Sequence, residues 1–205
     1  MFETFARNFT ADPDRVPEAA GTIAKLDIPD LNELITRFGG TSFNRGLYRI
    51  VRASDLDRWR ERVSCAFPEF ASRITCFGYD WLGRVFAADT QRLQQDQPSV
   101  LMFEPGTGEV LDVPANIRTF HDDELIGFGE TALASNLHKE WLANGGAQPA
   151  YVECIGFKKP LFLGGSDDLE NFELSDLDVY WHLMGQLILK TRHLPPGTRV
   201  RISME

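Results

Sequence analysis

Four short apolar segments between residues 74 and 113 limit the possible fold more than any other feature of the chain. Residues 74–79, 83–88, 100–104 and 109–113 each have the length and composition of a strand. The last two are joined by Pro105-Gly106-Thr107-Gly108, a turn-forming run that favours a hairpin. Consecutive hairpin strands pair antiparallel, which points away from a doubly wound parallel sheet.

Helical patterns gather around this block. Residues 29–38 place Leu31, Leu34, Ile35 and Phe38 on one face, and Gly39-Gly40 closes the run. A strand is predicted over 46–52. Ser54-Asp55-Leu56-Asp57 then predicts a capped helix to about residue 67, with Leu56, Trp59 and Val63 on its inner face. A long helix over 122–142 carries Leu125, Phe128, Leu133, Leu137 and Trp141, and ends near Asn144-Gly145-Gly146.

Strands are predicted over 151–155 and 161–163. Ser175-Asp176-Leu177-Asp178 repeats the capping pattern before a final helix to about residue 190, with Leu177, Tyr180, Trp181, Met184, Leu187 and Ile188 on one face. Residues 1–27 read as a mixed, loosely attached segment, and Pro195-Pro196-Gly197 breaks the chain before a short extended tail. The fold class is therefore α+β, an antiparallel β-meander flanked by helices.

The 205 residues include 43% hydrophobic side chains and 15 Phe, ample for a packed core. No window approaches 18 uninterrupted apolar residues, so no membrane-spanning helix is expected. Met1 to Arg7 lacks the basic segment and apolar run of a signal peptide. Cys65, Cys76 and Cys154 are an odd number at unrelated spacings, which predicts reduced, buried thiols and a cytoplasmic address.

The net charge of −9 is unevenly placed. Residues 121–180 hold 12 acidic and 3 basic side chains, whereas residues 1–120 hold 17 and 14. Such a surface disfavours direct nucleic-acid binding, because phosphates are held by Lys and Arg. It suits a basic partner; its plainest alternative meaning is solubility.

The sequence contains no convincing catalytic set. His121, His138, His182 and His193 form no His-Glu-x-x-His pair. His121-Asp122-Asp123-Glu124 is the one tempting metal or hydrolase cluster, but acids at a helix start are accounted for by the macrodipole. Gly106-Thr107-Gly108 and Gly127-Phe128-Gly129 lack the strand-to-helix context of a phosphate loop. No cofactor or metal is expected. Trp81 in Tyr79-Asp80-Trp81-Leu82-Gly83 is read as a core ring locking the meander, with an exposed recognition anchor as the alternative. Arg84 and Arg49 are expected to pair with nearby acids such as Asp80.

Several separated motifs share a further property. They are Phe38-Gly39-Gly40-Thr41-Ser42-Phe43-Asn44, Gly46-Leu47-Tyr48-Arg49, Trp81-Leu82-Gly83-Arg84-Val85-Phe86-Ala87 and Glu104-Pro105-Gly106-Thr107-Gly108-Glu109, then Phe120-His121, Glu140-Trp141-Leu142, Pro160 to Gly165, Glu170-Asn171 and Tyr180-Trp181. In this order, from about residue 38 to 189, the chain resembles bacterial immunity proteins that neutralise DNase toxins delivered by type VI secretion.

The resemblance implies a non-catalytic cytoplasmic antitoxin and a cognate toxin encoded nearby. It divides the chain into an N-terminal segment with a short helix, residues 1–37, and an immunity-type domain, residues 38–205. The arrangement is also similar to the yeast-cell-wall-regulator-like superfamily. Charge and expected exposure, not the resemblance, select Asp167, Asp168 and Glu170 as the first candidate partner-binding residues, with Asp122, Asp123 and Glu124 second. A scaffold module with a partner unrelated to any toxin is the alternative.

Overall fold

The computed structural model describes residues 1–19 and 26–195, so the tail expected after Pro195 lies outside the described residues. Its centre is a six-stranded antiparallel sheet in simple sequence order. The strands are β1 (Ser42–Phe43), β2 (Tyr48–Ile50), β3 (Ile74–Asp80), β4 (Val85–Gln94), β5 (Gln97–Glu104) and β6 (Glu109–Asn116). A separate two-stranded ribbon pairs β7 (Glu153–Phe157) with β8 (Phe172–Asp176). The molecule is α+β, as the hairpin signals predict.

β3 to β5 are buried on both faces at their centres, which explains why they read as continuous apolar runs rather than alternating ones. A bulge lies between Cys76 and Gly78 in β3. It breaks the period-two alternation at Phe77, whose ring meets Phe120 and His121, whereas the Tyr79 ring stacks on Trp59 at a centroid distance of 4.7 Å. The sheet thereby carries two different layers.

One layer rests on α3 (Leu56–Ala66) and α8 (Leu177–Thr191). The other is built from α1 (Glu3–Asn8), α2 (Pro29–Phe38) and the segment after β6. Phe2, Phe5 and Phe9 are buried in this second layer, so the start of the chain is fastened rather than loose. No sequence signal marked α1, because its six residues are too few to show a helical period.

The long helix expected over 122–142 is corrected. It begins earlier, at Ile117, where Asn116 and Thr119 form a capping box. It runs as α4 (Ile117–Thr119), a π-helical turn (Phe120–Glu124), α5 (Leu125–Gly127), α6 (Gly129–Leu133) and α7 (Ser135–Ala143). Ala134, with φ of 50°, turns the chain between the last two pieces.

Three smaller expectations also change. Residues 161–163 form a 3₁₀ turn, bounded by Pro160 and by Gly164 at φ of 80°, instead of a strand. β8 went unpredicted. The α3 entrance is held by Glu18, whose carboxylate accepts from the backbone N–H groups of Ala53 (2.7 Å) and Ser54 (3.1 Å), while the buried Ser54 hydroxyl finds no partner among the described residues. Cys76 and Cys154 are buried, as expected, but Cys65 is exposed.

Candidate partner-binding surface

The acids selected from sequence fall on two structures. Asp167, Asp168 and Glu170 lie on the loop between the 3₁₀ turn and β8, and all three are exposed. Gly165 passes so close to the Lys159 carbonyl that any side chain would collide with it, which accounts for the double glycine. The buried Asn171 fastens the loop from within. Its Nδ2 donates to the carbonyls of Ser166 (2.7 Å) and Lys159 (2.9 Å), and its Oδ1 accepts from the Lys159 N–H at 3.0 Å. Asp168 caps the short turn that follows, accepting from Glu170 N–H at 3.1 Å.

The loop also carries opposing charge. Lys158 Nζ donates to the Glu170 carbonyl at 2.7 Å, so the patch is acidic but not uniformly so. Sequence reasoning missed two further carboxylates, Glu104 and Glu109, which face each other directly across the β5–β6 hairpin. Burial pushes the Glu104 carboxyl up, and Asp80, Asp167 and Glu109 push it further against the pull of Arg84. The available signal was their symmetric placement around Pro105-Gly106-Thr107-Gly108, since like charges directly opposite cost stability.

Asp122, Asp123 and Glu124 lie on the π-helical turn. Asp122 is half-buried, and its Oδ1 accepts from the Phe5 N–H at 2.9 Å, capping α1. Asp123 is exposed and Glu124 half-buried. His121 points the other way. It is fully buried among Phe2, Phe5, Phe77 and Phe120, with Nδ1 2.7 Å from the Ile117 carbonyl and Nε2 3.0 Å from the Tyr48 hydroxyl.

Only an N–H can face that carbonyl, so Nδ1 donates and Nε2 accepts from Tyr48. Burial pushes the His121 pKa down to about 4 and keeps the ring neutral. His121 and the adjacent acids therefore share no site. Among the described residues no group of three or more His, Cys, Asp or Glu could hold a metal ion.

Trp81 is a core ring: it is fully buried and its Nε1 donates to the Leu133 carbonyl at 2.9 Å. Asp80 pairs with Arg84, accepting from Nε at 2.6 Å, and also accepts from the N–H groups of Leu82 and Arg84. Arg49 donates to backbone carbonyls instead, those of Pro149 (2.7 Å) and Asp80 (3.2 Å), and its guanidinium lies over the Tyr79 ring. A groove of about 760 Å³ runs between α3 and α8 past Cys65, with Arg58 and Arg62 both paired to Asp178 on its wall.

This arrangement presents carboxylates from fixed backbone, and it suits binding to cationic groups. Among the described residues no helix is long and apolar enough to cross a membrane.

The crystal structure of Atu4351 from Agrobacterium tumefaciens has a similar fold, with a TM-score of 0.54 at 12% identity over 91% of this chain and 89% of that one. No curated protein matches the chain. Residues 117–188, from α4 through most of α8, match the family described as T6SS immunity protein Tdi1, C-terminal. That span includes Phe120-His121, Glu140-Trp141-Leu142, Pro160 to Gly165, Glu170-Asn171 and Tyr180-Trp181. The resemblance to type VI secretion immunity proteins thus rests on a continuous stretch of 117–188 as well as on separated motifs.

Proposed function

We infer that this chain is a cytoplasmic immunity protein that binds and neutralises a cognate secreted DNase toxin by stoichiometric contact, without catalysis. The observation that carries this reading is the family match over residues 117–188. Charge supports it: residues 121–180 hold 12 acidic and 3 basic side chains. A DNA-cutting enzyme needs a basic cleft for phosphates, so an acidic inhibitor complements it, speeds encounter and narrows partner choice.

The candidate contact residues are Asp167, Asp168 and Glu170 on the loop held by Asn171, with Asp123, Glu124 and the more engaged Asp122 second. The toxin is expected to be basic and encoded beside this chain.

Co-expression with the neighbouring gene tests the reading. Rescue from lethal DNA degradation together with a stable stoichiometric complex is the expected result. A toxic neighbour that this chain neither binds nor relieves, or a partner without nuclease activity, overturns it in favour of a scaffold. Charge reversal at Asp167, Asp168 and Glu170 tests the patch: unchanged toxin affinity in a folded variant removes it.

A further inference from the structure

Phe128 is 61% exposed, in a molecule whose other aromatic side chains largely build the core. It stands between Gly127 and Gly129 at the break between α5 and α6, with φ of −130° and ψ of 30°. Neither glycine has a left-handed φ, and a Cβ at either would meet nothing within 4 Å. The fold therefore demands glycine at neither position, although glycine is the weakest ordinary helix former after proline.

The backbone is nevertheless continuous, because the Phe128 N–H donates to the Glu124 carbonyl at 2.8 Å and the Ala132 N–H to the Phe128 carbonyl at 2.9 Å. That bond places Glu124 one helical turn from Phe128. Asp123 is exposed beside it, and Glu130 follows, with its carboxylate accepting from Ser135 Oγ and the Asn136 N–H. An exposed aromatic ring thus stands one helical turn from Glu124 and close in sequence to the exposed Asp123.

We propose that Phe128 is an anchor that inserts into an apolar pocket of the cognate toxin, while Asp123 and Glu124 meet basic side chains on that pocket's rim. This rests on the immunity reading and names the part of the surface that sets affinity. Exposed aromatics carry a disproportionate share of binding energy when a partner desolvates them, and charges at the rim act on the association rate. The two glycines let the ring adjust its direction as it docks.

The test measures binding to the catalytically inactivated product of the adjacent toxin gene. Phe128→Ala is expected to leave the melting temperature unchanged and to weaken binding by about 10- to 100-fold, mainly through faster dissociation. Asp123→Lys with Glu124→Lys is expected to slow association and reduce its salt dependence.

If the wild-type protein binds and Phe128→Ala binds equally well, the anchor is overturned and the immunity reading stands. If the wild-type protein does not bind, both are overturned. Loss of self-association by Phe128→Ala with toxin affinity unchanged overturns the anchor in favour of a second copy of this chain. Should Phe128→Ala prove unstable, Gly127→Ala with Gly129→Ala decides: a higher melting temperature with weaker binding supports the proposal, and a higher melting temperature with unchanged binding overturns it.

Discussion

The His121–Tyr48 pair and the Asp80–Arg84 pair are both sealed from water, yet the first is neutral and the second is held by opposite charges. His121 has a partner for each ring nitrogen and aromatic rings on several sides. Asp80 sits at the β3–β4 turn, takes hydrogen bonds from Arg84 and two backbone N–H groups, and has Arg49 bonded to its carbonyl. A neutral pair in a dry site tolerates loss of one partner at modest cost. A buried carboxylate or guanidinium left alone does not.

The sharpest way to break the comparison is Asp80→Ala. It strands Arg84 in a buried site, and the expected loss is about 3–5 kcal/mol in urea denaturation at neutral pH. Removing the Tyr48 hydroxyl by Tyr48→Phe is expected to cost only about 1–2 kcal/mol, since Nε2 of His121 loses its single donor. Equal losses in the two variants would end the distinction.

Acid separates the centres again. His121 has a folded pKa near 4, below its ordinary value of 6.5, so between those values the unfolded chain takes up a proton that the folded chain refuses. His138, pushed down to about 4 chiefly by burial, acts in the same direction. Stability is therefore greatest above about pH 6.5 and falls as pH drops toward 4, for His121 by about 1.5 kcal/mol between pH 6.5 and 5. Denaturation of His121→Gln across this range is expected to show a shallower slope than the wild-type protein, whatever its stability at pH 7.

Smaller effects follow at the acids. Asp122→Ala removes the cap on Phe5 N–H and is expected to cost about 1 kcal/mol. Asp167→Lys with Glu170→Lys is expected to change stability by less than about 0.5 kcal/mol, because both are exposed.

Much of the frame was legible because its signals are local. The apolar runs and Pro105-Gly106-Thr107-Gly108 announce the meander, and α2 falls at the predicted residues 29–38. What could not be read depends on distant partners. β8 carries Glu173, Leu174 and Ser175 with three of its five residues exposed, and it exists because β7 pairs with it. The break at Gly127-Phe128-Gly129 was visible as glycines, yet the helical apolar pattern across it favoured one continuous helix.

At the candidate surface, the exposure of Asp167, Asp168 and Glu170 was inferable from charge. The Asp122 contact with Phe5, 117 positions away, was not. Neither was the turning of His121 away from the acids beside it.

That contact has a consequence for how the molecule is made. Phe2, Phe5 and Phe9 find ring partners in Phe38, Phe43 and Tyr48, near them in sequence, while His121, against Phe2 and Phe5, and Asp122, on the Phe5 N–H, come from the far half of the chain. The aromatic cluster at this end can gather around its nearer partners first, whereas its far wall closes late, by contacts of high sequence separation.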